Sequence, residues 1–251
     1  MQVLVNLFVL LVEVGVIACI VAVALFQPII FAGVTAMLIL VIGLRLEWQR
    51  LRHELGFFFD DGRATRVVFV SLAACVEACV KAIAAGGASI LAFAGSDTDR
   101  LSVVAVVFAA SLFAGAGMLR RSYYSFGVRP MRWGYFRLAI PLGVLFSIGM
   151  YAAVLANFIE VLSLRELAGA LVFELPERPN LSQLSEFAFS VKQTIDAVLV
   201  NFAEQFLGPS FAWVAGILLS VNVLTGFALA IYVVLISEVV LRLEGRERPK
   251  R

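Results

Sequence analysis

Glu13, Glu77 and Lys81 are ionisable residues set deep in apolar sequence. Glu77 and Lys81 are four apart in "AACVEACVKAIAAGG", which places them on one face of a helix, acid first, where they can pair. A charge near the centre of a membrane-spanning helix costs about 2.5–3.5 kcal/mol on the insertion scale, so such residues are candidates for function by default. Glu13 falls at a similar depth in the first apolar run, and two acids against one base leave one carboxylate over. Burial favours the neutral form of that acid. A protonatable acid at mid-depth is what proton-coupled transport needs; a pair along one helix also simply lowers the cost of insertion. Gly86 and Gly87 follow about one turn on and offer a hinge in the same helix.

Other chemistry lacks its residues. There is one histidine, His53, so paired-imidazole haem and histidine-rich metal sites are disfavoured. No glycine-rich phosphate loop occurs, no serine has a histidine partner within the apolar segments, and no aspartate falls in an expected span. We therefore expect no enzyme activity, no cofactor and no metal site. Cys19, Cys75 and Cys79 all lie in apolar segments and read as small buried residues rather than a disulfide framework. With a net charge of +2 and no basic domain, nucleic acid is not an expected partner.

The elements that must position these residues follow from composition. Of 251 residues, 62% are hydrophobic and 15% charged, and mean hydropathy is +0.98. A soluble domain has about 45–50% apolar and about 25% charged residues. The apolar residues come in blocks long enough to cross a bilayer. The expected fold is all-α: a single polytopic membrane domain over 1–251, with six transmembrane helices at about 3–25, 29–44, 67–94, 101–119, 138–163 and 211–237. The first two are separated by a turn at Gln27-Pro28, and residues 45–66 read as a hydrophilic loop. One set of loops and the C-terminal tail holds fifteen Lys and Arg, the other set four. The positive-inside rule puts the fifteen in the cytoplasm. A bacterial inner membrane with both termini cytoplasmic is the expected location.

Residues 165–209 form the longest segment outside the expected spans. Within it, 181–206 reads as an amphipathic helix between helices five and six, on the periplasmic side. Asn180 can cap it, and Gly208-Pro209 ends it. Its stripe runs Leu184, Phe187, Val191, Ile195, Val198, Phe202 and Phe206, and we expect it to face inward, onto the bundle or leaflet. The segment could also dock a periplasmic protein, or dip back to line a pore.

Two functions are compatible with this pattern. One is transport, by a small permease or channel-like subunit using the polar site Glu13, Glu77 and Lys81. The alternative is a non-catalytic subunit that anchors or assembles a larger membrane complex. The lipid bilayer, further copies of the chain or other membrane subunits are the expected partners.

Overall fold

The computed structural model describes residues 2–58, 64–93, 98–158 and 181–244. All regular elements among them are helices: α1 (Gln2–Phe26), α2 (Pro28–Phe58), α3 (Ala64–Phe93), α4 (Thr98–Phe126), α5 (Pro130–Arg137), α6 (Ala139–Leu155), α7 (Leu181–Leu207), α8 (Pro209–Leu219), a 3₁₀ turn (Val221–Leu224) and α9 (Thr225–Leu243). Five of them are long and apolar enough to cross a membrane, and α5 with α6, bent by 56° at Leu138, makes a sixth if counted as one span. This is the build of a multi-pass membrane protein.

Pro28 starts α2, where its missing N–H costs nothing. The chain reverses there, because Glu13 of α1 and Glu47 of α2 both lie toward the end of the bundle that carries Arg50, Arg120 and Arg132. We call this the arginine-rich end. Two expectations about boundaries are corrected. The loop expected from residue 45 is helical to Phe58, since Arg45, Glu47, Arg50 and Glu54 extend the helix beyond its apolar part. The sixth expected helix, 211–237, is broken. Its first part, α8, stops at Leu219, and Ser220 leaves helical geometry with ψ of 138° while its side chain accepts from the Asn222 N–H.

The helix that resumes, α9, is the centre of the bundle. Thirteen of its 19 residues are buried, against α4, α5 and α6 and also α1, α2 and α3. Packing in a membrane depends on close approach rather than on hydrophobic burial, and small residues permit it. Gly226 of α9 meets the α6 backbone: a Cβ there would lie 2.6 Å from the Gly143 nitrogen. A Cβ on Gly143 would lie 2.9 Å from the carbonyl carbon of Val223. A second seam joins α2 to α3. Ala74, Ala78, Ala82, Ala85, Ala88 and Ala92 form a buried stripe at spacings of three and four. Gly86 belongs to this seam, facing Ala36 across the interface.

Hydroxyls inside the bundle bond along their own helices, as Ser89 does to the Ala85 carbonyl at 2.7 Å and Ser111 to that of Val107 at 2.8 Å. Thr35 also reaches across, 2.8 Å from the Tyr232 hydroxyl.

Candidate functional site

The polar chemistry of the bundle lies in two layers, one near each end. The first is built on the α2–α3 seam. Glu47 is completely buried. Lys81 donates to it from α3, and to Glu77 at 2.9 Å. Arg50, one turn beyond Glu47, closes the network, 3.0 Å from Glu47 Oε2 and 2.9 Å from Glu77 Oε2. Its Nε also lies 3.3 Å from the exposed Glu54. The helices place these groups by spacing: Glu47, Arg50 and Glu54 are three and four apart on α2, and Glu77 and Lys81 four apart on α3. Aromatic faces from α5 cover the cations. Lys81 Nζ is 5.7 Å from the centre of the Tyr135 ring and 5.6 Å from that of Phe136, and the Arg50 guanidinium is 5.2 Å from that of Phe136. The Tyr135 hydroxyl is buried and has no hydrogen-bond partner among the described residues. It presses on Gly43, the only side-chain size that leaves room for it.

Glu77 and Lys81 therefore meet as their spacing implies, but Glu13 does not join them. Its carboxylate is 1% exposed and pairs with Arg120 of α4, Nη2 standing 2.8 Å from Oε2. The physical reason is that α1 packs most closely on α4, which carries Arg120, whereas the network lies between α2 and α3. Each acid has found its own cation: Glu13 has Arg120, and Glu47 and Glu77 share Lys81 and Arg50. The surplus carboxylate inferred from one base and two acids disappears once these arginines are counted. As for the proposed hinge, α3 runs unbroken through Gly86 and Gly87; Gly86 contacts Ala36, and Gly87 faces outward.

The second layer is at the opposite end. Arg100, at the start of α4 and 8% exposed, donates to the Ala92 carbonyl at 3.3 Å and lies 3.7 Å from the centre of the Phe189 ring. Lys192 of α7 is also 8% exposed and pairs with Asp196 at 3.2 Å. Asp196 in turn accepts from the Val221 N–H at 2.8 Å, tying α7 to the break before α9. Burial pushes the Lys192 ammonium below its ordinary pKa, Asp196 opposes that shift, and the nearby Arg100 adds to it.

The second layer takes the bundle-facing side of α7, which leaves the C-terminal part of the expected stripe turned away from the bundle. The face toward the bundle carries Lys192 and Ala203, which are buried, and Asp196, which is largely so. Ile195, Val198, Phe202 and Phe206 point away from the bundle and are exposed. Asp196 faces the protein because the Val221 N–H is there to donate to it, and Lys192 follows as its ion-pair partner one turn away; Arg100 of α4 meets the same helix through the Phe189 ring.

Between the layers is an aromatic plug. Phe31 packs edge-on to Phe93 and Phe108, with ring centres 5.6 and 6.0 Å apart, and stacks on Tyr232 at 5.3 Å; Phe146 extends the cluster from Phe108 at 6.2 Å. Glu47 lies about 24 Å further along α2 than Phe31, at about 1.5 Å per residue. Five helices thus contribute to a closed centre flanked by two charged layers.

Sequence reasoning missed Glu47, Arg50, Arg120 and the α7 pair. The first two are on one helical face with Glu54, a signal obscured by reading 45–66 as a loop. Comparison of the chain with protein-family models, curated proteins and solved structures finds no match.

Proposed function

We propose that the chain is a small membrane transport protein of the permease type, with the two charged layers acting as gates and the aromatic plug holding the path closed. The observation that carries this reading is the pairing of Glu47, Lys81, Glu77 and Arg50 at one end with Lys192, Asp196 and Arg100 at the other. Ion pairs that share several partners can rearrange among them, though losing one outright costs about 3–5 kcal/mol where it is buried, whereas a packed core does not open by degrees. Both breaks in the spans also support the reading. Discontinuous helices line substrate paths in many transporters, and here the 3₁₀ turn before α9 packs on α6 just beyond its bend at Leu138. The arginine-rich end faces the cytoplasm of a bacterial inner membrane, and α7 lies at the periplasmic side with its apolar stripe in the outer leaflet.

A test needs no knowledge of the solute. Ser147 is fully buried on α6 and its hydroxyl has no partner among the described residues. In a background lacking Cys19, Cys75 and Cys79, Ser147→Cys reports access to the centre. Weakening the inner gate with Lys81→Met should allow an impermeant thiol reagent to reach it from the arginine-rich side alone. Lys192→Met should open it from the other side alone. If neither folded variant gives one-sided labelling, the bundle is a static scaffold and the transport reading falls.

One observation favours the alternative, a membrane-anchoring or assembly subunit: the α7 side chains Ile195, Val198, Phe202 and Phe206 are exposed among the described residues. A stoichiometric partner lost on replacing Phe202 and Phe206 by Ser would select that reading.

A further inference from the structure

A crevice of about 370 Å³ opens at the arginine-rich end, between α2, the α4–α5 turn and α5. Its lining includes Arg129, Arg132 and Arg137 with Trp133 and Phe136, and its inner wall is Arg50 with Glu54. Four arginines and one glutamate give the lining a formal charge of +3. The Arg50 charge is already spent on Glu47, Glu54 and Glu77. The other three differ. Arg132 donates to the neutral amide of Gln49 at 2.9 Å, and Arg129 and Arg137 make no ion pair among the described residues. Three guanidinium groups are therefore gathered round one opening with no carboxylate paired to them among the described residues. Guanidinium donors in a fork suit phosphate oxygens.

The surroundings favour a lipid over a soluble phosphate. α5 is turned 56° from α6, so it leaves the direction of the span where the bundle ends. Trp133 on α5 is partly exposed, as an aromatic residue at a membrane interface is. Trp133, Phe136 and Val128 give the crevice an apolar side on which acyl chains can lie. Basic pockets between helices at this depth are suited to anionic head groups.

We propose that this crevice binds the phosphate head group of an anionic phospholipid from the leaflet at the arginine-rich end, with Arg129, Arg132 and Arg137 as its ligands and Trp133 as the acyl-side wall. The three proposed ligands are not members of the Glu47–Lys81 network; Arg50, which is, forms only the inner wall of the crevice.

Native mass spectrometry of the full chain in neutral detergent tests it. Phosphatidylglycerol and phosphatidylcholine with identical acyl chains are added in parallel. The wild type should retain phosphatidylglycerol at least about tenfold more tightly than phosphatidylcholine. The variant Arg129→Gln/Arg132→Gln/Arg137→Gln should lose that preference while its unfolding midpoint in lipid-free detergent stays that of the wild type. Should the triple variant not fold, Arg129→Gln and Arg137→Gln, both on exposed side chains, are measured singly, and each should weaken the preference. Equal retention of both lipids by the wild type overturns the proposal, as does a preference that survives the substitutions. Inorganic phosphate is the third arm. If millimolar phosphate displaces phosphatidylglycerol and binds equally well without lipid, the crevice is a site for soluble anions and the lipid assignment is wrong.

Discussion

Lys81→Met tests the assignment of charge partners. The substitution keeps most of the side-chain volume and removes one cation from a network of two acids and two bases. Glu47 is fully buried and loses one of its two cations, while Arg50 Nη1 remains 3.0 Å from its Oε2. Breaking a buried pair costs about 3–5 kcal/mol, and the surviving arginine places this case at the lower end, about 3 kcal/mol. Glu77 is partly exposed, and its share is at most about 1 kcal/mol. Adding Glu47→Gln removes the buried acid and leaves Arg50 between Glu77 and the exposed Glu54, so it should recover about 2 kcal/mol of the loss. Adding Glu13→Gln instead strands Arg120 at a separate site, so its cost should add to that of Lys81→Met within about 0.5 kcal/mol. Detergent-titrated unfolding in mixed micelles, followed by the fluorescence of the three tryptophans, gives the three differences. If Glu13→Gln rescues Lys81→Met as well as Glu47→Gln does, the partner assignment is wrong and Glu13 belongs to the cluster.

Other expectations follow from the packing and the second charged layer. Gly226→Ala drives a methyl into the α6 backbone and should cost about 3 kcal/mol or more, whereas Gly33→Ala, with nothing within 4 Å of the new Cβ, should stabilise by up to about 1 kcal/mol; the same unfolding assay separates them. Tyr232→Phe and Thr35→Val should each cost about 1 kcal/mol, and the double variant less than their sum, because both remove one hydrogen bond. For Lys192 the folded pKa is depressed below the ordinary 10.5, so in the interval between the two values the unfolded chain binds more protons. Stability should therefore rise with pH through that interval, with the full penalty present below it. Lys192→Met should abolish the slope; an unchanged slope would assign it to another group.

The membrane fold was legible because apolar blocks of span length can hardly be read otherwise, and Pro28 marks its turn by removing an N–H. The ends of helices were less legible. Charge density suggested a loop at 45–66, but a helix keeps going when its polar residues have partners on the next helix, and those partners were 27 and 34 residues away, Arg50 to Glu77 and Glu47 to Lys81. The break at Ser220 is faint for the same reason: Ser220 and Asn222 are small departures in an apolar run, and the acceptor that stabilises the break, Asp196, is remote in sequence. Within the candidate site, the i, i+4 pair of Glu77 and Lys81 could be read from one helix. The placement of Glu13 could not, because mid-depth alone does not say which neighbour a helix will face.

The central position of α9 also bears on how the protein is made. It is the last of the described helices to leave the ribosome, yet the others are arranged around it. Until Thr225–Leu243 arrives, α3, α4 and α6 have their membrane positions but surround a groove open to lipid. Insertion and assembly are thus distinct stages, and the second cannot finish before the first. A chain arrested short of Thr225 would lack the helix on which α3, α4, α5 and α6 all pack. Gly226 extends that vulnerability to completed chains, because a methyl group there would meet the α6 backbone at Ala139 and Gly143, where the central helix crosses it.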